Sequence, residues 1–374
     1  MKVRGAVLRE LGRPAPYAQS RPLEIAELQL DPPGRGELLV RVRAAGLCHS
    51  DLSVIDGSRP RVMPMVLGHE AAGEVVEAGP GVSGLAAGDH VVLTFVPSCG
   101  GCASCLAGRA ALCEPAAAAN GAGTLLSGGR RWRDGAGDEL HHHLGVSAFA
   151  EHVVVSERSA VRVDPALPFD VAALFGCAVL TGVGAVLHSA QVAPGDSVAI
   201  FGLGGVGLAA LLGARLAGAG AIVGVDVAPS KLDRARELGA TQTVLAGPDA
   251  VAEVRDATGG GATHVIETAG SARVLADAYA ATRRGGTTVT VGLPHPEQLL
   301  SIQAVGLVAE ERTLRGSYLG SSVPARDIPR LVALHLAGRL PVERLLTHRI
   351  ALDELNEGFD RLARGEAIRQ AVIL

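Results

Sequence analysis

The sequence predicts an α/β protein of two domains, in which a β-rich part precedes a doubly wound parallel sheet. Three observations predict this fold class. At 374 residues the chain exceeds the usual size of one domain. Short β-branched runs separated by Gly and Pro occupy its first half, whereas strands alternate with helices in its second. The 48% hydrophobic content, mainly Ala, Val and Leu, provides a large aliphatic core.

Charge and composition exclude several classes of function. The net charge of −4 offers no basic surface for nucleic acid. The first residues lack the charged start and apolar core of a secretory signal, which favours the cytosol. Residues 197–214 carry no charge and are long enough to span a membrane, but they contain five glycines. A strand, a turn and a helix fit that segment better.

The β-rich part begins with a run of alternating apolar and polar residues at 37–43, typical of a strand with one solvated face. Similar short runs lie at 75–76, 91–93 and 152–155. Residues 115–145 are rich in Ala and Gly and contain the only tryptophan, Trp132. Their composition predicts a long loop.

Two possible metal ligands stand near the start of this part. Cys48 opens the run Cys48-His49-Ser50-Asp51, and His69 lies in Gly68-His69-Glu70. Thiolate sulfur and imidazole nitrogen are ligands that Zn²⁺ prefers, and a catalytic zinc keeps three protein ligands and one open position. Carboxylates beside such ligands orient them and tune the metal, a role open to Asp51 and Glu70.

Four further cysteines form a separate cluster, which leaves Cys177 as the remaining one of six. The four are Cys99, Cys102, Cys105 and Cys113. Four thiolates complete a tetrahedral zinc and leave no open position, so the cluster predicts a structural zinc; disulfides or coincidental thiols are the alternatives. The run His141-His142-His143 is a poor ligand set because adjacent side chains point apart, which favours a solvated or pocket-lining loop.

A glycine motif opens the second part of the chain. Residues 197–201 predict a strand, 208–217 a helix and 222–225 a second strand, with Gly202-Leu203-Gly204-Gly205-Val206-Gly207 in the first turn. The acidic Asp226 ends the second strand. Glycines at this point let a dinucleotide pyrophosphate approach the helix N-terminus, and the acidic residue binds the ribose hydroxyls. The context predicts a dinucleotide site.

Asp226 also favours NAD over NADP, because its carboxylate would repel a 2′-phosphate. No arginine follows it at residues 227–229. Lys231 either contacts a ribose hydroxyl or is a solvated helix residue.

Further strands and helices are predicted at 249–257, 264–266, 274–282 and 287–291, followed by a helix at 325–337. We therefore assign residues 1–178 to the first domain and 179–318 to the second. The segment 319–374 is expected to rejoin the first domain.

The sequence resembles the zinc-dependent alcohol dehydrogenases of the medium-chain dehydrogenase/reductase (MDR) superfamily over almost its whole length. The matching motifs are Cys48-His49-Ser50-Asp51, Gly68-His69-Glu70 with Gly73, Gly79 and Val82, the four-cysteine cluster, Gly176-Cys177 with Thr181-Gly182, Gly202 to Gly207 with Asp226, and Asn356-Glu357-Gly358-Phe359 leading to Ile368-Arg369. The resemblance implies a GroES-like catalytic domain, a Rossmann NAD-binding domain, and two zinc ions per chain.

The resemblance also implies roles for individual residues. Cys48, His69 and Cys177 would bind the catalytic zinc; this Cys₂His set is known for alcohol dehydrogenases, so it is recognised here and does not follow from spacing. Ser50 would pass on the proton of the alcohol. The other expected contacts are those of His49 and Arg369 with the cofactor pyrophosphate, of Thr181 and Val206 near the nicotinamide, and of Phe95, Leu144, Leu293 and Tyr318 with the substrate.

The implied reaction transfers a hydride between a primary alcohol, aliphatic or aromatic, and NAD. Some relatives end their proton relay at a His five residues after the first ligand, where this chain has Ser53. The long insertion after Cys113 is similar to that of the dimeric members and favours a homodimer. Alternatives are a glutathione-dependent formaldehyde dehydrogenase, a polyol dehydrogenase, or a non-catalytic module that binds zinc and nucleotide. The formaldehyde enzymes have an Arg where this chain has Ala117, and Arg59 is a possible substitute for it.

Overall fold

The computed structural model describes all 374 residues, which divide into two compact units. The first unit comprises Met1–Cys177, Val323–Leu336 and Val342–Leu374. The second comprises Ala178–Ser322 and Ala337–Pro341. The first is β-rich and the second is a parallel sheet with helices, so the α/β fold class and its two parts are confirmed.

Eighteen strands build the sheets of the two units. They are β1 (Lys2–Leu8), β2 (Leu23–Leu30), β3 (Glu37–Gly46), β4 (Met65–Val66), β5 (Ala71–Ala78), β6 (His90–Leu93), β7 (Trp132–Arg133), β8 (Glu139–His142), β9 (His152–Ser156), β10 (Ala160–Arg162), β11 (Ser197–Phe201), β12 (Ala221–Asp226), β13 (Gln242–Leu245), β14 (Ala262–Glu267), β15 (Thr282–Thr290), β16 (Thr313–Gly316), β17 (Leu346–Ile350) and β18 (Arg369–Ile373).

Thirteen α-helices connect these strands. They are α1 (Tyr17–Ser20), α2 (His49–Ile55), α3 (Ala103–Leu106), α4 (Glu114–Ala122), α5 (Phe169–Ala172), α6 (Ala178–Gly184), α7 (Gly205–Ala217), α8 (Pro229–Leu238), α9 (Ala250–Ala257), α10 (Ala272–Ala281), α11 (Ala304–Ala309), α12 (Pro324–Leu336) and α13 (Leu355–Ala363).

The first unit contains a closed barrel and a second sheet. The barrel runs in the order β1-β2-β7-β8-β4, and the sheet runs β10-β6-β5-β3-β18-β17 with β9 paired to β3. β3 is the centre of that sheet and alternates buried and exposed residues over its middle, as predicted for 37–43. Phe149 and Phe359 lie fully buried in the core, with ring centroids 6.0 Å apart.

The insertion at 115–145 is not a loop, so this expectation is wrong. α4 occupies its start, and β7 and β8 supply two of the five barrel strands. Trp132 is fully buried in β7. The preceding residue, Arg131, donates its Nε–H to the buried carboxylate of Glu37 at 2.7 Å. This bond connects the insertion to β3. Strands of two and four residues leave too short a pattern for sequence reasoning to detect.

The second unit is a six-stranded parallel sheet in the order β13-β12-β11-β14-β15-β16. α7 begins at Gly205, three residues before the predicted start, and ends at Ala217. The next residue, Gly218, has a φ of +79°, which suits a left-handed C-cap. β11 has the predicted bounds, whereas α8, β13 and β16 were not predicted. β13 and β16 have four residues each, too few for a clear alternation.

No single helix is long and apolar enough to cross a membrane. One pair of consecutive helices with a bend between them, Phe169–Gly176 and Ala178–Ala190, is long and apolar enough when the two are taken together, by length and composition only. Residues 197–214 form β11 and most of α7, as expected.

Candidate active site and metal centres

Three donor atoms converge in the first unit. Cys48 precedes α2, His69 follows β4, and Cys177 ends the first long segment of the unit. The two sulfurs and a nitrogen of His69 lie within 4.8 Å of one another, and all three residues are buried. Gly68 makes the approach of His69 possible, because at its φ of +92° a Cβ would lie 2.5 Å from the backbone nitrogen of Phe149.

The donor set of this three-donor cluster fits a zinc ion. Nδ1 of His69 lies 3.0 Å from Oδ1 of the buried Asp51, a distance that suits donation of Nδ1–H to the carboxylate. That tautomer leaves a lone pair on Nε2, which is buried and has no hydrogen-bond partner in the protein. Two thiols and one imidazole nitrogen with an unused lone pair are what a three-ligand zinc site requires.

Charges in the cluster are strongly coupled. Burial alone would lower the pKa of His69, but the carboxylate of Asp51 outweighs it and raises the pKa to about 10. The metal-free ring is therefore protonated at neutral pH, and a bound metal would displace the proton of Nε2 and use its lone pair. Burial would likewise raise the pKa of Asp51, yet His69 and His143 hold it below its usual value. The neighbouring Cys177 and His69 lower the pKa of Cys48. The cluster therefore favours a thiolate, the form that binds metal.

Glu70, the residue after His69, is also buried. Its Oε1 pairs with Nη2 of Arg369, and its Oε2 has no partner. The pair fits because residue 46 is a glycine: a Cβ at Gly46 would lie 2.6 Å from Oε1 of Glu70 and 2.8 Å from Nη2 of Arg369. Burial lowers the pKa of Arg369. Since Arg369 contacts Glu70 here, its contact with a cofactor pyrophosphate stays a prediction.

The other predicted residues of this segment lie on α2. His49 is exposed at the first position of the helix, and Ser50 follows it half-buried. Ser53 donates its Oγ–H to the carbonyl oxygen of His49 at 2.8 Å. The hydroxyl of Ser53 is thus engaged in the helix, whereas that of Ser50 makes no hydrogen bond to the protein.

The second group of cysteines forms a four-sulfur cluster in the first unit. The Sγ atoms of Cys99, Cys102, Cys105 and Cys113 lie within 4.8 Å of one another. The backbone N–H groups of Gly101 and Cys102 donate to Sγ of Cys99 at 3.4 and 3.3 Å. Such bonds stabilise thiolates, and the donor set fits a closed four-ligand zinc site.

The run His141–His143 was predicted as a solvated or pocket-lining loop, and the solvated alternative is wrong. His141 and His142 end β8, and His142 and His143 are fully buried. Burial lowers the pKa of His143, and its Nδ1 lies 3.1 Å from Oδ1 of Asp51. Asp51, His69 and His143 therefore form a third group of clustered donors. Sequence reasoning missed His143 because adjacent histidines make a poor ligand set.

The glycine motif of the second unit has the geometry of a nucleotide-binding turn. Gly202 has φ +94°, and a Cβ on Gly207 would overlap the carbonyl oxygen of Gly202. Gly204 is the N-cap of α7, and a Cβ added there meets no atom within 4 Å. The turn therefore keeps open space in front of the N-terminus of a 13-residue helix, the arrangement that accepts a pyrophosphate. Gly205 and Val206 form the first turn of that helix.

Asp226 ends β12 beside this turn and is held from two directions. Its Oδ2 accepts from the N–H of Leu203 at 2.7 Å, and its Oδ1 accepts from that of Ala228 at 3.0 Å. Nζ of Lys231 lies 3.9 Å from Oδ1. Each carboxylate oxygen keeps a second lone pair, so the fixed carboxylate remains able to accept from ribose hydroxyls.

The remaining predicted contacts fall in separate parts of the chain. Phe95 is buried and stands edge-on to His69, with ring centroids 5.5 Å apart, and Leu144 is also buried. Thr181 lies buried in α6. Leu293 and Tyr318, in the second unit, are 50% and 40% exposed. The roles of these residues toward substrate and cofactor stay predictions.

Comparisons with known proteins agree with this architecture. Residues 34–165 match the family model of the alcohol dehydrogenase GroES-like domain, and residues 205–336 match that of the zinc-binding dehydrogenases. The chain is 38% identical to an NDMA-dependent alcohol dehydrogenase of Amycolatopsis methanolica, with 100% of this chain and 99% of that protein covered.

Two further relatives are similar over their full length. An S-(hydroxymethyl)glutathione dehydrogenase of Paracoccus denitrificans is 36% identical, with both chains covered completely. The crystal structure of benzyl alcohol dehydrogenase from Acinetobacter calcoaceticus superposes with a TM-score of 0.91 at 31% identity, covering 100% of this chain and 99% of that one. The chain therefore belongs to the zinc-dependent alcohol dehydrogenases of the MDR superfamily.

Proposed function

We propose that this chain oxidises primary alcohols, aliphatic or aromatic, to aldehydes with NAD⁺ and runs the reverse reaction with NADH. The observation that carries the proposal is the three-donor cluster of Cys48, His69 and Cys177, with its unpartnered Nε2. Three protein ligands leave a position for substrate, which a purely structural zinc does not need. This supports an enzyme over the non-catalytic module.

Each side chain has a defined task in this proposal. Zinc would act as a Lewis acid on the alcohol oxygen, and NAD⁺ would accept the hydride. Asp51 holds the ring of His69. Glu70, the next residue in the chain, has its negative charge balanced by Arg369. Ser50 relays the proton of the alcohol, because its half-buried hydroxyl follows a zinc ligand by two residues: the hydroxyl oxygen accepts that proton while its own proton passes on toward water.

The cofactor is NAD in this proposal. Support comes from the carboxylate of Asp226, which two backbone N–H groups fix at the end of β12. A fixed negative charge accepts from a ribose diol and repels a 2′-phosphate. Asp226→Gly should narrow or invert the preference measured as the ratio of kcat/KM with NAD⁺ to that with NADP⁺. Equal kcat/KM for both cofactors in the parent enzyme would contradict the proposal.

The nearest rival is the glutathione-dependent oxidation of formaldehyde, as named for the Paracoccus relative. That substrate carries two carboxylates, which arginine binds best. Ala117 is an exposed residue of α4 with no charge to offer. The arginines of the insertion are already paired with carboxylates: Arg130 with Glu139, Arg131 with Glu37, and Arg133 with Asp31. This favours uncharged alcohols.

A direct assay separates the two reactions. NAD⁺ reduction should proceed with benzyl alcohol and medium-length aliphatic alcohols, and glutathione should not be needed. The same assay with formaldehyde, with and without glutathione, is the control. A rate that arises only with glutathione present, and exceeds the rate with every free alcohol, would reverse the assignment.

We further propose two zinc ions per chain, a cytosolic location and a homodimer. The reducing cytosol keeps all six thiols available as ligands. The second unit exposes large apolar side chains around α11, including Leu299 at 89%, Val305 at 71% and Val308 at 82%, which a second copy would cover. Metal analysis measures the zinc content, and one zinc per chain would contradict the first proposal. Light scattering measures the number of chains in the assembly, and a monomer at assay concentration would contradict the homodimer.

A further inference from the structure

The barrel brings a second histidine to the carboxylate of Asp51. β4 and β8 run parallel, with Val66 opposite His142, so both strands end at the same edge of the barrel. His69 follows the end of β4, and His143 follows the end of β8. Two imidazoles from distant parts of the chain therefore meet beside one buried carboxylate.

Both imidazoles address the same carboxylate oxygen. Nδ1 of His69 lies 3.0 Å from Oδ1 of Asp51, and Nδ1 of His143 lies 3.1 Å from it. The approach of His143 does not have hydrogen-bonding geometry, so the tautomer with the proton on Nδ1 acts through the attraction between that N–H and the charge. The second oxygen, Oδ2, is buried without a partner. These two rings are the side chains that hold the carboxylate.

The backbone around His143 fixes this ring in turn. Its N–H donates to Oγ of Ser147 at 2.8 Å, and its carbonyl oxygen accepts from the N–H groups of Val146 and Ser147 at 3.0 and 3.2 Å. Ser147 is fully buried. The ring of His143 stands at 88° to that of His69, with centroids 5.6 Å apart, so the two rings reach the carboxylate from different directions.

We infer that His143 is a positioning residue, which holds Asp51 and through it keeps Nε2 of His69 aimed at the sulfurs of Cys48 and Cys177. The inference rests on the proposed zinc site. With His143 absent, Asp51 keeps one contact and is free to turn, so the ligand imidazole loses its fixed direction. Loss of such outer partners weakens metal binding.

The test compares zinc affinity in three variants of the full-length holoenzyme. His143→Phe keeps the ring volume and removes the nitrogens, and it should raise the zinc dissociation constant of the three-donor cluster about 10-fold. His143→Asn places an N–H where Nδ1 stands and should stay within about 3-fold of the parent. His143→Gln places its N–H near the position of Nε2 and should resemble Phe. Competition with a chromogenic chelator measures the constants.

Two controls separate positioning from a general loss of structure. His142→Asn alters the neighbouring buried histidine, whose Nε2 accepts from the N–H of Arg131 and does not touch Asp51. It should lower thermal stability and leave zinc affinity unchanged. The four-cysteine zinc should be unchanged in every variant. Cobalt in place of zinc should show a shifted visible spectrum in His143→Phe and the parent spectrum in His143→Asn.

Each outcome bears on a distinct claim. A parent protein that holds no zinc at Cys48, His69 and Cys177 would overturn the proposed function together with this inference. If the parent binds zinc and His143→Phe binds it with the same affinity, this inference alone is overturned. It is also overturned if His143→Gln retains the zinc affinity as well as His143→Asn does. Should His143→Phe fail to fold, the contrast between Asn and Gln decides.

Discussion

The two cysteine clusters of the first unit differ in number of donors, burial and neighbours. The three-donor cluster is buried, and charged side chains act on it: Asp51 on His69, and Arg369, which is paired with Glu70, on Cys48. The four-sulfur cluster is half-exposed at three of its cysteines, and backbone N–H groups are its main hydrogen-bond donors. In the proposed function the first cluster takes part in the reaction, whereas the second holds a loop.

The contrast adds a second difference to the number of ligands, namely the source of the groups that support each cluster. Buried carboxylates require cationic or N–H partners, and each such partner here is a side chain supplied by a different strand or loop. A cluster that depends on local backbone N–H groups needs no such support. We therefore expect distant mutations to affect the three-donor cluster and to leave the other unchanged.

Removal of one sulfur from each cluster is the strongest test of this contrast. Cys177→Ala should reduce NAD⁺ reduction to background with the fold retained, because two donors do not hold a reactive zinc. Cys102→Ala should retain measurable turnover and lower the melting temperature by several degrees, because its zinc closes a loop. Equal loss of activity in both variants would remove the functional distinction.

The next largest effect concerns hydroxyl groups beside the two clusters. Ser50→Ala should lower kcat by about 10²–10⁴-fold, the usual contribution of a positioned proton-transfer group, and Ser50→Thr should retain activity. Ser104, next to Cys105, is the matched control and should have no effect on kcat. Ser53→Ala should have little effect, since that hydroxyl bonds to the carbonyl of His49. Equal losses at 50 and 53 would mean that the proton leaves by another route.

Glycines beside the two clusters should differ in their tolerance of a methyl group. Gly46→Ala places a Cβ within 2.6–2.8 Å of the Glu70–Arg369 pair and should cost about 1–3 kcal/mol of unfolding free energy. Gly101→Ala meets no atom within 4 Å and should change it by less than about 0.5 kcal/mol. Urea denaturation measures both. An unchanged Gly46→Ala would show that the ion pair moves aside freely.

The smallest expected effect is a difference in thiol reactivity after zinc removal. Donation from the N–H groups of Gly101 and Cys102 lowers the pKa of Cys99 to about 6, whereas burial raises that of Cys105 to about 12. Since the thiolate is the nucleophile, iodoacetamide at pH 7 should label Cys99 first. The rate should fall roughly tenfold per unit as the pH drops below 6. Cys48 should react slowly because it is only 8% exposed, and mass spectrometry identifies the order.

Sequence reasoning found features that depend on neighbours in the chain. The glycine motif, β11 and Asp226 were predictable because a strand, a turn and a helix follow one another directly. The role of His143 was not, because it depends on the parallel pairing of β4 with β8, which no local pattern encodes. The barrel strands of the insertion could not be predicted either, because β7 and β8 are short and lie in a segment rich in Ala and Gly, whose composition indicates a loop.

The strand order of the first unit has a consequence for biosynthesis. β18 lies between β3 and β17, and Arg369, the partner of Glu70, is its first residue. Ribosomes add about 5–20 residues per second, so the N-terminal segment waits roughly 10–40 s after Cys177 for the strand that completes its sheet. The second unit, by contrast, is almost complete when Ser322 has emerged. A stop codon within the last dozen codons would therefore leave the earliest-made sheet unfinished and give chaperones and proteases an exposed edge to act on.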